Sequence, residues 1–287
     1  MPLESGWPNE YPDIASLRVE IDAMVASLVE AVLGQVPATE LAGIYLKGSA
    51  HKRWDSPVDY VPEISDVDVH VLFRDEDSIA QRLGTPEAAM AMQKQVEHGY
   101  ASRIEHPIHT PRPQLVVLNL LLQDPDYSPS PAGMVDTLWG EPYPSAMYDE
   151  HKEQAVARKR LLVDAAILET LPLRVVDKPG RYLLTVIRDL TWRTGPSGPR
   201  LLLLFGMPAG QVWSLNRTGV IQALEELGAH EFAGAYRDYY LSAWACFLSG
   251  YADSDAARSA VGAGINALRI AAAAAETLRP EHSDANP

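Results

Sequence analysis

The stretch that decides the fold runs from Leu46 to Phe73, LKGSAHKRWDSPVDYVPEISDVDVHVLF. It opens at the end of an apolar strand, LAGIYLKG (41–48), turns on Gly48-Ser49 and re-enters a strand at SDVDVHVLF (65–73). Short β-branched runs bounded by Gly, Pro and Ser are strand signals. Along the second strand alternate residues share a face, which sets Asp66, Asp68 and His70 on one side and Val67, Val69 and Val71 on the other. Two carboxylates ~6.6 Å apart on one face repel each other, and burying them is costly unless a cation or a polar cleft receives them. A magnesium-like dication answers that requirement, because each carboxylate offers it a hard oxygen ligand. The Gly48-Ser49 turn adds backbone N–H groups and a hydroxyl at the same edge, which suits the oxygens of a polyphosphate. Strand, Gly-Ser turn, loop and Asp-x-Asp strand outline a metal-assisted nucleotide site.

Working outward, Asp13 is placed to cap a helix whose Leu17, Ile21, Met24, Leu28 and Val32 fall at helical spacing, with Gly34 as its stop. Thr85-Pro86-Glu87 opens a second helix that runs to about Glu105. PQLVVLNLLLQ (113–123) reads as a third strand, apolar enough to be buried on both faces. Residues 1–123 therefore form a small α/β unit, and the Pro-, Ser- and Asp-rich residues 124–150 read as a linker. Beyond it, residues 151–280 are helical by period and composition, broken by Gly and Pro. PRLLLLFGMPAG (199–210) fits either a short apolar helix or a buried loop, and residues 281–287 read as a disordered tail. The expected fold class is α+β, a small mixed sheet followed by an all-α bundle.

Composition narrows the partners. Hydrophobic residues make up 47% of the 287-residue chain and charged residues 22%, enough for a sizeable core. The net charge of −14, from 38 acidic against 24 basic residues, argues against extended nucleic-acid binding, which rests on a basic surface. An acidic chain suits a cationic small molecule better. Cys246 is the only cysteine, which excludes a disulfide framework and a cysteine-based zinc cluster and reads as a buried helical thiol. With no basic-then-apolar leader in MPLESGWPNEYPD and no stretch of about 20 apolar residues, the expected compartment is the cytoplasm, with no membrane partner.

The segment LKGS…SDVDVHV resembles the signature of the DNA polymerase β-like nucleotidyltransferase superfamily: an apolar residue, Gly, Gly or Ser, a loop, then Asp-apolar-Asp/Glu-apolar. Within that superfamily, an α/β unit followed by a helical domain is similar to the bacterial aminoglycoside adenylyltransferases that modify streptomycin and spectinomycin. The resemblance implies an enzyme that uses Mg2+ and moves AMP from ATP to a small-molecule acceptor. Carried over residue by residue, it makes Asp66 and Asp68 the catalytic metal ligands, and Gly48, Ser49 and Lys47 the triphosphate turn. VIRDLTWRTG and LNRTGVIQALEEL resemble the family's helices that send basic side chains to the phosphates, which points to Arg188 and Arg217, with Arg200 as a further possibility.

The chain departs from the pattern twice. Sixteen residues separate Ser49 from Asp66, a longer loop than the family's. In it, Trp54 and Tyr60 either stack on a base or sugar or anchor a lid, and Asp55, Asp59 and Glu63 are placed to receive an amine. The family also carries a third carboxylate on the next central strand, where this chain offers Gln114 and Asn119. Neither amide is a general base, which predicts a slow enzyme or an acceptor that needs no deprotonation. Gln114 takes the catalytic position; His70 shares the face of the two aspartates as a substitute, and Glu105 and Asp124 bracket the strand. Two other readings stand beside the small-molecule transferase: a toxin-like nucleotidyltransferase acting on tRNA or protein, and a non-catalytic nucleotide sensor that lacks the third acid. His106 and His109 in EHPIHTP have a metal-like spacing but no partner in the sequence to complete a site.

Overall fold

The computed structural model describes residues 6–278; the tail expected at 281–287 lies outside the described residues. The fold is α+β, a small mixed four-stranded sheet followed by helices. The chain divides into two compact units that are not contiguous in sequence: a sheet unit of 6–53 and 65–148, and a helical unit of 54–64 and 149–278.

In the sheet unit, α1 (Ile14–Gln35) starts where Asp13 accepts the N–H of Ser16, and it runs past Gly34. β1 (Leu41–Lys47) pairs antiparallel with β2 (Asp66–Phe73). A crossover through α2 (Glu76–Leu83) and α3 (Pro86–Arg103) leads to β3 (Arg112–Val117), which lies parallel to β2. Thr85 caps α3, with Pro86 at its first position, as the sequence predicts. Val67, Val69 and Val71 are fully buried on one face of β2, while α1 packs against β2, β3 and α3.

Three expectations change here. The third strand ends at Val117, not at 123, and continues as α4 (Leu118–Leu122). The amide of Asn119 accepts the N–H of Phe73 at 2.9 Å and donates to its carbonyl at 3.0 Å, so a side chain supplies what would be the next rung of the ladder. β3 is an edge strand, partly exposed along its length, and not one buried on both faces. The expected linker 124–150 contains β4 (Asp136–Gly140), which pairs antiparallel with β1 and completes the order β3-β2-β1-β4. Sheet pairing outweighs the turn-rich composition around it, because β1 would otherwise leave a row of backbone groups unpaired.

The helical unit contains α5 (Glu150–Ala165), α6 (Ile167–Val176), α7 (Leu183–Leu204), α8 (Ala209–Ser214), α9 (Arg217–Glu226), α10 (His230–Leu248) and α11 (Ser254–Thr277). α11 packs against α5, α7 and α10, α7 packs against α5 and α10, and Leu190, Leu202, Phe232, Tyr239 and Trp244 are among the buried side chains of these helices. Residues 199–204, left open between helix and loop, are the last turns of α7, which passes through Pro196 and Pro199. Cys246 is a buried thiol on α10, as expected.

Candidate functional site

The face of β2 that carries Asp66, Asp68 and His70 is flanked in register on both sides. β1 sets Lys47 opposite Asp68 and Tyr45 opposite His70. β3 sets Arg112 beside Asp66, Gln114 beside Asp68 and Val116 beside His70. Paired residues of neighbouring strands point to the same side, so the two aspartates share their face with a lysine, an arginine and a glutamine.

Gly48 follows directly. Its φ of +82° is the left-handed conformation glycine adopts at little cost, and a Cβ built there would lie 1.9 Å from Asp68 Oδ2. The carboxylate therefore rests over the glycine's own Cα, and the Gly-Ser turn and the Asp-x-Asp strand, apart in sequence, are in contact. The turn is held from both ends. The carbonyl of Gly48 accepts the N–H groups of His51 and Lys52 at 3.2 and 3.3 Å, and Arg18 of α1 donates to the carbonyls of Ala50 and Lys52. Ser49 sits at its apex, half-buried.

The charges have partners of their own. A guanidinium nitrogen of Arg112 is ion-paired with Asp66 Oδ1, in a setting where the two side chains remain 25% and 12% exposed. Lys47 gives its Nζ to Ser130 Oγ at 2.7 Å. The sequence reading did not single out Arg112, although it stands two residues before Gln114 and the same alternation that selects one selects the other.

The candidates for the missing acid separate clearly. Gln114 is the one the backbone register sets beside Asp68. Asn119 has left the strand and binds the backbone of Phe73. His70 is buried, and burial, helped by the charge of Lys47, pushes its pKa down to about 3. An imidazole that weakly basic is a poor acceptor for a hydroxyl proton at neutral pH. Glu105 is almost fully exposed beyond the end of α3, and Asp124 accepts the N–H of Asp126 in a turn after α4, so neither belongs to β3. His106 is exposed, whereas His109 is buried against Glu20; the pair forms no metal site.

The arginines expected at the phosphates have other work inside the helical unit. Arg217 donates to the carbonyls of Val58 and Asp59 at 3.0 and 3.2 Å and lies 4.1 Å from the ring centroid of Tyr240. Arg188 donates to the carbonyl of Glu63 at 3.0 Å and stands 3.8 Å from its carboxylate. Arg200 is paired with Asp164. The long loop is corrected in the same way. Trp54 and Tyr60 are buried and stacked on each other 4.5 Å apart, unavailable to a base or sugar. Asp59 is buried and accepts from the backbone of Asp55, Ser56 and Thr218 and from the Thr218 hydroxyl. Asp55 accepts from Asn216.

For a dication, the donor set is two hard-oxygen carboxylates on alternate residues of one strand. Among the described residues no group of three His, Cys, Asp or Glu side chains stands ready to hold a metal. Magnesium does not need one: it is commonly bound through one or two carboxylates, with water and phosphate completing the shell. The residues fit such an ion, on the condition that Arg112 yields Asp66 to it.

No family model, no curated protein and no solved structure matches the chain.

Proposed function

We propose that the chain is a magnesium-dependent nucleotidyltransferase of the DNA polymerase β-like kind, moving AMP from ATP to a small-molecule acceptor. The observation that carries this reading is the seat of the Asp68 carboxylate directly over Gly48, which joins the metal-type acid to the phosphate-type turn. In the transfer, an acceptor oxygen bonds to the α-phosphorus, the bond from that phosphorus to pyrophosphate breaks, and the acceptor's proton passes to solvent or to a base. Asp66 and Asp68 would hold Mg2+, and the ion would supply charge compensation for the phosphates there. The N–H groups of the Gly48-Ser49 turn, with Lys47 beside them, orient the triphosphate. The acidic chain favours a cationic acceptor, and its single unpaired cysteine suits the cytoplasm. No helix among the described residues is long and apolar enough to cross a membrane.

Asp66→Asn and Asp68→Asn are each expected to weaken magnesium-dependent ATP binding at least tenfold by calorimetry while leaving the circular dichroism spectrum unchanged. Unchanged binding in both variants rejects the site. Incubation with labelled ATP and a cell extract, separated into small-molecule, RNA and protein fractions, identifies the acceptor, with label expected in the first.

A second reading, a nucleotide sensor without catalysis, is favoured by one observation: the residue in register beside Asp68 is the amide Gln114, not an acid. Mg-ATP binding with no pyrophosphate release in the presence of any fraction selects it.

A further inference from the structure

We propose that Arg112 gates the metal site: it holds Asp66 while the nucleotide is absent, gives the carboxylate up to the incoming dication, and transfers its guanidinium to the nucleotide's phosphates. This inference rests on the nucleotide-site reading above.

The geometry supplies each part. Arg112 opens β3 directly beside Asp66, so the backbone register itself keeps the guanidinium within reach of the carboxylate, and the two are ion-paired. The side chains are 25% and 12% exposed, but Asp66 Oδ1 and Arg112 Nε are themselves buried, so parting them is costly unless a cation replaces the guanidinium and an anion replaces the carboxylate. A cation at Asp66 repels a dication approaching the same oxygens, so Arg112 opposes metal binding by the bare chain. The other cross-strand cation does not play this part, since Lys47, opposite Asp68, has its Nζ on Ser130. Once a dication takes Asp66, the guanidinium needs another anion, and its planar fork matches phosphate oxygens. Metal alone displaces Arg112 and gives it nothing; metal with nucleotide displaces it onto a better partner. The two ligands are therefore coupled through one side chain, and each raises the other's affinity by the same factor.

The test measures Mn2+ as the probe ion, by the loss of its free paramagnetic resonance signal, and ATP by calorimetry with Mn2+ or with chelator. Arg112→Gln is expected to bind Mn2+ without nucleotide at least tenfold more tightly than the wild type. It is also expected to show a smaller ratio between its ATP affinities with and without Mn2+. A residue that served stability alone would lower the melting temperature and leave Mn2+ affinity where it was. Should Arg112→Gln not fold, Arg112→Lys, which keeps the charge and loses the fork, carries the test: the coupling between Mn2+ and ATP is expected to fall at least threefold. Binding of Mn-ATP by the wild type with unchanged Mn2+ affinity in Arg112→Gln, or unchanged coupling in Arg112→Lys, overturns the gate alone. A wild type that binds no Mn-ATP overturns the nucleotide site and the gate together.

Discussion

Gly48 and Asp68 show how much one residue decides. At φ +82° any side chain is strained, and here a Cβ would fall 1.9 Å from Asp68 Oδ2, so Gly48→Ala carries both a backbone and a steric cost. The left-handed conformation alone costs about 1–3 kcal/mol for a residue other than glycine. Urea unfolding is expected to register at least that loss. Because the carboxylate must move aside, ATP binding should fall further than in a surface variant of equal stability; retention of both properties would show that the carboxylate has room elsewhere. The alternation of Asp66 and Asp68 was legible in the sequence because a strand's period of two needs no tertiary information. The ion pair was not, because it depends on which residue of β3 lies beside Asp66, and register is settled only when the strands pair.

At the scale of elements, legibility followed how local the signal was. Helices that open on a clear start signal, such as α1 and α3, were readable with their starting residues, and α1 by its apolar spacing as well. β4 is made a strand by its pairing with β1, and nothing within its five residues announces it. α7 was read as broken because Pro196 and Pro199 lack the N–H that an interior turn needs. The helix survives because partners outside it take up what proline leaves: the carbonyl of Gly195, four residues before Pro199, accepts the hydroxyl of Tyr236 at 2.8 Å. The same neighbour makes Gly198 necessary, since a Cβ there would meet Val220 Cγ1 at 2.8 Å and Tyr236 Cζ at 3.2 Å. Replacing glycine by alanine inside a helix gains about 1 kcal/mol from propensity, while overpacking costs about 1–3 kcal/mol. At Gly198, with Tyr236 pinned by its hydrogen bond, overpacking wins. Gly262 on α11 has nothing within 4 Å of the corresponding Cβ, and there propensity wins. Gly198→Ala is expected to lower, and Gly262→Ala to raise, the midpoint of urea unfolding; two shifts of the same sign would refute the packing argument.

The whole molecule owes its organisation to eleven residues of the long loop, which the sequence alone leaves open between a stacking platform for a base or sugar and an anchored lid. Residues 54–64 leave the sheet unit between β1 and β2 and build into the core of the helical unit, so that sequence order and unit membership part company. The indole N–H of Trp244, fully buried on α10, finds its acceptors in the carbonyls of Pro57 and Tyr60, at 2.6 and 3.0 Å. The carboxylate of Asp59 receives the backbone N–H of Thr218 near the start of α9. Trp54, Val58, Tyr60, Val61 and Ile64 are all buried, and large apolar side chains of this kind are worth about 1.5–3 kcal/mol each. Their sum approaches the roughly 5–15 kcal/mol by which a whole domain is stable. Removing them also leaves a buried indole donor and a helix start without their partners. A fragment of residues 149–278, the helical unit without residues 54–64, is therefore expected to keep helical far-ultraviolet dichroism but to melt without a cooperative transition. A chain in which residues 54–64 are replaced by a glycine-serine linker should lose the helical unit's transition in the same way. A sharp transition in either, close to that of the intact chain, would return the segment to the role of a surface loop and detach the helical unit's stability from the strand that carries Asp66 and Asp68.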